Sequence, residues 1–150
     1  MFDFTYQAFA ARIVFGPGKI SEIAAEVDRL GGKAALLVST GSQRAVADAA
    51  VAALGKNCVA RIDGAVMHVP RDDVQKAVAL ALQHKCDCVV AIGGGSAVGV
   101  AKGVALETEL PIIAVPSTYA GSEMTDIWGI SEGDGKITGR DKRVVPKCVI

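Results

Sequence analysis

Five apolar residues, Cys88-Val89-Val90-Ala91-Ile92, run without interruption into Gly93-Gly94-Gly95-Ser96. A strand that is apolar at every position has both faces covered, as in a parallel sheet. A half-exposed antiparallel strand would alternate. Small residues after the glycines continue as a helix to about Leu106. A buried strand, a glycine turn and a helix in direct succession restrict the chain to the α/β class.

The rest of the chain repeats that alternation. An extended segment, Arg12 to Phe15, ends at the turn signal Gly16-Pro17-Gly18. Ile20, Ile23, Ala24 and Val27 share one helical face, and Gly31-Gly32 closes that helix. Lys33 to Ser39 reads as a buried strand, and Ser42 as the cap of a helix reaching Leu54, with Val46, Ala50, Ala53 and Leu54 inward. Cys58 to Ile62 is a third strand. Asp72 and Asp73 mark the first turn of a helix whose apolar stripe is Val74, Ala77, Val78, Ala81 and Leu82. Ile112 to Val115 is a further strand. Asp126 to Ser131 and Lys136 to Thr138 flank Gly133-Asp134-Gly135 as a β-hairpin. The fold expected is a Rossmann-like parallel sheet flanked by helices, with a hairpin near the C-terminal end. The apolar ending Val145 to Ile150 looks like the start of another strand, so the chain is expected to be part of a longer polypeptide.

Composition narrows the function classes. Sixteen basic residues balance sixteen acidic ones, so the basic face of a nucleic-acid binder is not expected. The cluster Arg140 to Arg143 with Lys147 is interrupted by Asp141 and reads as a solvated loop. No apolar run reaches the ~20 residues of a bilayer span, and the start Met1 to Thr5 lacks a basic leader. Cys58, Cys86, Cys88 and Cys148 hold no C-x-x-C spacing and read as small buried thiols, which places the protein in the cytoplasm.

The chemistry is expected at two turns. Gly93 to Gly95 lie at the carboxyl end of a parallel strand, where backbone can approach an oxygen closely, and the following helix, starting near Ser96, points its free N–H groups at the same spot. That makes a pyrophosphate site from backbone alone, favoured over a turn needed only for packing. The G-x-G-x-x-G fingerprint is incomplete, with Val98 at its third position and Gly99 one residue late, and Lys102 sits too far along for a P-loop. The loop Pro116 to Thr125 follows another strand end. It reads equally well as a ribose and nicotinamide contact or as an ordinary polar connection. Ser39-Thr40-Gly41-Ser42 stands where an acid would favour NAD over NADP, but Thr40 is neutral. His68 and His84 give no H-E-x-x-H and no zinc set. Glu123 and Asp126 are too weak a pair for glycoside chemistry.

These segments together resemble the N-terminal domain of the iron-containing (group III) alcohol dehydrogenase superfamily, which includes glycerol dehydrogenases and is related to dehydroquinate synthase. The resemblance is carried by Ala11 to Gly18, Asp63 to Pro70, Ala91 to Ser96, Pro116 to Thr125 and Arg140-Asp141. Within the superfamily the chain looks most like the maleylacetate reductases. Gly99 stands where the metal-dependent enzymes usually carry an acid, and the Tyr119 loop is one residue shorter than theirs.

The resemblance implies that residues 1–150 form a dinucleotide-binding domain, with a second, helical domain outside this chain. It implies pyrophosphate on Gly94, Gly95, Ser96 and Ala97, and nicotinamide-side contacts from Thr118, Tyr119 and Ser122. Thr40 would meet the adenosine ribose. The cofactor would be NADH or NADPH. Metal dependence stays open, with no ligands expected here, and the catalytic residues would lie elsewhere. The implied reaction is reduction of maleylacetate to 3-oxoadipate in aromatic-compound degradation, by a homodimer with no nucleic-acid or membrane partner. The alternatives are a metal-dependent alcohol or glycerol dehydrogenase, a dehydroquinate-synthase-like lyase and a non-catalytic nucleotide-binding module.

Overall fold

The computed structural model describes residues 3, 5, 8–65 and 68–150. Val66 and Met67, inside one of the family-like segments, lie outside the described residues. Among the described residues, six parallel strands form the central sheet: β1 (Arg12–Ile13), β2 (Ala35–Ser39), β3 (Cys58–Asp63), β4 (Cys88–Gly93), β5 (Ile112–Pro116) and β8 (Cys148–Val149). Their order is β1-β8-β5-β4-β2-β3, while β6 (Ile127–Glu132) and β7 (Gly135–Arg140) form a separate antiparallel hairpin. The α/β expectation holds, including the hairpin and the terminal strand.

Strand pleating divides the core in two. Leu36, Val38, Val89, Ala91, Ile112 and Ala114 point to one face, where they meet α3 (Arg71–Gln83) and α4 (Gly95–Thr108). Ala35, Leu37, Cys88, Val90, Ile92 and Ile113 point to the other, against α1 (Ile23–Arg29) and α2 (Arg44–Leu54). Every residue of β4 is buried, because it lies mid-sheet with helices on both faces. Burying each Val or Ile there contributes about 1.5–3 kcal/mol, so a charged residue at Val90 would break the sheet at its centre.

Several local expectations need correction. Only Arg12 and Ile13 of the opening segment pair as a strand, and Phe15 is 82% exposed. Ser42 does not cap α2: it sits in a single 3-10 turn, Gly41–Gln43, and Gln43 is the residue preceding the helix. The buried face of that helix is Ala47, Ala50 and Leu54, with Val46 and Ala53 only partly covered. Leu82 falls off the stripe of α3 and is 66% exposed. Arg140 is the last residue of β7 and donates to Asp126 at 2.9 Å, so the basic cluster is not simply a solvated loop. Arg143 likewise holds Asp141 and the Leu106 carbonyl.

Polar ties fasten the edge strand and the hairpin to the rest of the fold. Glu26 on α1 is 2% exposed and accepts from Arg12 of β1 at 2.9 Å and from Arg29 at 3.2 Å. The hairpin is tied to the loop before α3, where the Ser131 hydroxyl donates to the His68 carbonyl at 2.6 Å and the Ser131 N–H donates to the Val69 carbonyl at 2.9 Å. His68 and Val69 have φ of 71° and 52°. A β-branched residue is strained in that region, so these bonds are what hold the turn.

Candidate nucleotide site

The chain runs outward from β2 to β3, then returns to place β4 on the other side of β2. Ligands of open α/β sheets bind at such a reversal, beyond the carboxyl ends of the strands. Three loops converge there. The Thr40 N–H donates to the Ile92 carbonyl at 3.1 Å, and the Ser117 N–H donates to the Gly93 carbonyl at 3.0 Å. The glycine turn is thereby clasped between the ends of β2 and β5.

The three glycines are not equivalent. Gly93 has φ of 141°, and a Cβ there would stand 2.7 Å from Thr40 Oγ1. A Cβ on Gly94 would stand 3.0 Å from Thr118 Oγ1. Packing alone accounts for both. Among the described residues, a Cβ on Gly95 would find nothing nearer than Ala120 Cβ at 4.0 Å, so their packing does not explain that glycine. It is exposed and borders a large cavity. Open space beside a bare backbone is what a phosphate oxygen requires, so these residues fit a pyrophosphate.

The helix α4 begins at Gly95, one residue before Ser96, and extended Gly94 precedes it without a side-chain cap. Its first turn bond runs from the Val98 N–H to the Gly94 carbonyl at 3.3 Å. The N–H groups of Gly95, Ser96 and Ala97 therefore precede the helical ladder and carry its partial positive charge. Ser96 is inside the first turn rather than its cap. Ala97 is fully buried, so only its backbone can serve a ligand.

The cavity in front of this turn has a volume of about 470 Å³. Gly95, Ser96, Gly99 and Lys102 of α4 form one wall, and Trp128, Gly129, Lys136 and Thr138 of the hairpin form another. His68, Val69, Ser122 and Ile127 complete it. Of the expected contacts, Gly95, Ser96 and Ser122 share this cavity, while Gly94, Ala97 and Thr118 do not line it. Tyr119 is 86% exposed and does not line it. Thr40 lines a second, smaller pocket of about 220 Å³ with Gly41, Arg44, Asp63 and Gly64.

Lys102 was legible only as a lysine too far along the helix for a P-loop. It is 1% exposed, and its ammonium donates to the carbonyls of Thr125 at 2.8 Å and Ile127 at 2.6 Å. It thus anchors the base of the hairpin to α4. Burial pulls its pKa down to about 8, against the opposing pull of Asp126 and Glu123. Gly99 also has a packing role, because a Cβ there would run into the Val69 methyl group. Among the described residues, no group of three or more His, Cys, Asp or Glu side chains could hold a metal ion. Sequence reasoning missed Arg44, Trp128, Lys136 and Thr138, which converge only through the packing of the hairpin and neighbouring strands.

The family model described as iron-containing alcohol dehydrogenase matches residues 10–150. The maleylacetate reductase of Sphingobium indicum is 46% identical over 148 residues, covering 99% of this chain and 42% of that protein. Maleylacetate reductase 1 of Cupriavidus pinatubonensis is 44% identical over 150 residues, covering 100% of this chain and 42% of that protein. The chain therefore spans well under half the length of these curated relatives. Among solved structures, maleylacetate reductase from Agrobacterium tumefaciens superposes with a TM-score of 0.90 at 40% identity, covering 99% of this chain and 43% of that one. NADH-dependent butanol dehydrogenase A from Thermotoga maritima superposes with a TM-score of 0.85 at 27% identity, covering 98% and 43%.

Proposed function

The chain belongs to the iron-containing alcohol dehydrogenase family, and we propose that it is the cofactor-binding part of a maleylacetate reductase that uses NADH or NADPH. The observation that carries this reading is Gly95, a glycine bordering the cavity for which the packing of the described residues gives no reason. The names and 41–46% identity of the curated relatives support the choice of maleylacetate over a simple alcohol. In this reading the overall change is reduction of the substrate's carbon–carbon double bond, giving 3-oxoadipate.

The nicotinamide, when bound, supplies the hydride. The residues of this chain bind and orient. The amides of Gly95, Ser96 and Ala97 hold the pyrophosphate, with Gly94 set against Thr118. Thr40 meets the adenosine ribose, and Ser122 and Thr118 meet the nicotinamide side, with Tyr119 at the exposed rim. The hairpin wall, anchored by Lys102, shields the inner side of the cavity from water, so that dipoles aimed into it act at low dielectric. A cytoplasmic homodimer is the setting this reading expects.

The test is NAD(P)H consumption by the full-length protein with maleylacetate, beside oxidation of ethanol, 1,2-propanediol and glycerol. Turnover of maleylacetate at least about 100-fold above the alcohols supports the proposal. The reverse preference contradicts it and favours an alcohol or polyol dehydrogenase.

A further inference from the structure

We infer that Lys136, bedded on Gly129 of the hairpin, faces a carboxylate of the substrate across the cavity, and that Gly129 is the positioning residue that puts it there. This rests on the reading of the chain as part of a maleylacetate reductase, and it adds a residue pair that selects a dicarboxylate.

Gly129 lies inside β6, where a glycine has no side chain to pack and weakens the strand. Its backbone does not call for a glycine, since its φ is not positive. Lys136 accounts for it. In the hairpin register Gly129 pairs with Thr138 and Ser131 with Lys136, so Lys136 is the diagonal neighbour of Gly129 on one face. A Cβ on Gly129 would stand 2.6 Å from Lys136 Cε and 3.3 Å from its Nζ. The lysine thus lies across the bare backbone of the glycine. Gly129, Lys136 and Thr138 all border the cavity of about 470 Å³.

The charges around the cavity leave this lysine free. Among the described residues the lining holds no Asp or Glu, and its lysines are Lys102 and Lys136, with His68 beside them. The Lys102 ammonium is already committed to the carbonyls of Thr125 and Ile127. Asp126 is taken by Arg140 at 2.9 Å, and Glu132 of the hairpin by Arg71 at 2.9 Å. Lys136 is exposed, and among the described residues no hydrogen bond or ion pair engages it. On the other wall the backbone at Gly95 and Ser96 is assigned to the pyrophosphate, so the cofactor's charge is met without Lys136. Maleylacetate brings two further negative charges, one at each end. A carboxylate in a partly enclosed site is costly unless paired, and a compact ammonium on a flexible stem is a suitable partner.

The experiment uses full-length wild type, Lys136→Met, Lys136→Arg, Gly129→Ala and the double variant Gly129→Ala/Lys136→Met. It measures KM and kcat for maleylacetate at saturating NADH, and the Kd of NADH by calorimetry. Lys136→Met is expected to raise KM for maleylacetate about tenfold or more while the Kd of NADH stays within about threefold, and Lys136→Arg to restore part of the loss. Gly129→Ala should fold, because the atom it meets is the far end of a lysine that can give way, with Thr138 Cγ2 next at 3.4 Å. By displacing that lysine it should raise KM about threefold or more, yet add less than about twofold on top of Lys136→Met. An unchanged KM in Lys136→Met, or an equal loss of NADH affinity, overturns the carboxylate contact. Additive losses, or an unchanged KM in Gly129→Ala, overturn the role of Gly129. Should Gly129→Ala melt far below wild type, the Lys136 variants still decide the contact. A wild type that does not reduce maleylacetate overturns the proposed reaction and this inference together, whereas a wild type that does, beside an unaffected Lys136→Met, overturns the inference alone.

Discussion

Gly93 and Thr40 are in such close contact that a Cβ on the glycine would stand 2.7 Å from the threonine Oγ1. This approach joins the ends of β2 and β4, the two strands between which the chain reverses direction, and it sets the glycine turn against the adenosine side of the proposed site. Two neighbouring glycines therefore answer to different constraints, which substitution can separate.

Gly93→Val forces a branched side chain into Thr40 at a φ of 141°. We expect loss of the folded state, since overpacking and backbone strain together exceed about 3 kcal/mol. Gly95→Val meets open space among the described residues and should fold with a thermal midpoint within a few degrees of wild type. Circular dichroism melts of the two variants check this, and equal destabilisation would contradict it.

Gly99 and Val69 form a second coupled pair. Gly99→Asp, which introduces the acid typical of the metal-dependent relatives, should destabilise by about 1–3 kcal/mol because Val69 fills the space. Val69→Ala on its own should cost less, and combined with Gly99→Asp it should recover much of the loss. A double-mutant cycle in urea that proves additive would contradict the coupling.

Much of this organisation was legible in sequence, and the misses have physical causes. The strand ending at Gly93 was legible because a run buried on both faces has no polar residue to obscure it. Ser42 and Ser96 looked like helix caps because serine usually plays that role. Here a 3-10 turn precedes one helix and an extended glycine the other, so neither hydroxyl is needed. Lys102 was not legible as an anchor because its acceptors, the carbonyls of Thr125 and Ile127, belong to backbone and leave no residue signature. The pairing of Arg44 with Thr40 in one pocket, and the hairpin wall facing Ser96, arise from contacts between elements. Periodicity along one element does not encode them.

Lys102 gives a pH signature. Its folded pKa of about 8 lies below the ordinary 10.5, so between those values the unfolded chain holds a proton that the folded chain has released. Stability from this group therefore rises with pH across that window. Burial pushes the thiols of Cys86 and Cys148 up to about 11 and that of Cys88 to about 12, which acts in the opposite sense above the ordinary 9. The difference between wild type and Lys102→Met isolates the lysine. The variant should lose about 1–3 kcal/mol at pH 7, because two buried carbonyls lose their donor, and it should lack the lysine's rise from pH 8 to 10.5. Urea midpoints measured across that range check it, and parallel curves would contradict it.

Glu26 gives the acidic counterpart. Burial raises its pKa, but hydrogen bonding and charge from Arg12, with help from Cys148 and Arg29, outweigh that and hold it below the ordinary 4.5. Its contribution is complete above pH 4.5 and is lost as pH falls through the lowered folded value. Glu26→Gln should cost about 1–3 kcal/mol at neutral pH and flatten the acid limb of the stability curve. An unchanged acid limb in a folded variant would contradict this role.

The central claim is that the bare backbone at Gly95 cradles the cofactor pyrophosphate, and titration of NADH into wild-type and Gly95→Val full-length protein tests it most directly. The account predicts saturable binding to wild type and at least about 100-fold weaker binding to a variant that melts at nearly the same temperature. Equal affinity in that folded variant would show that the nucleotide, if it binds, is held somewhere else.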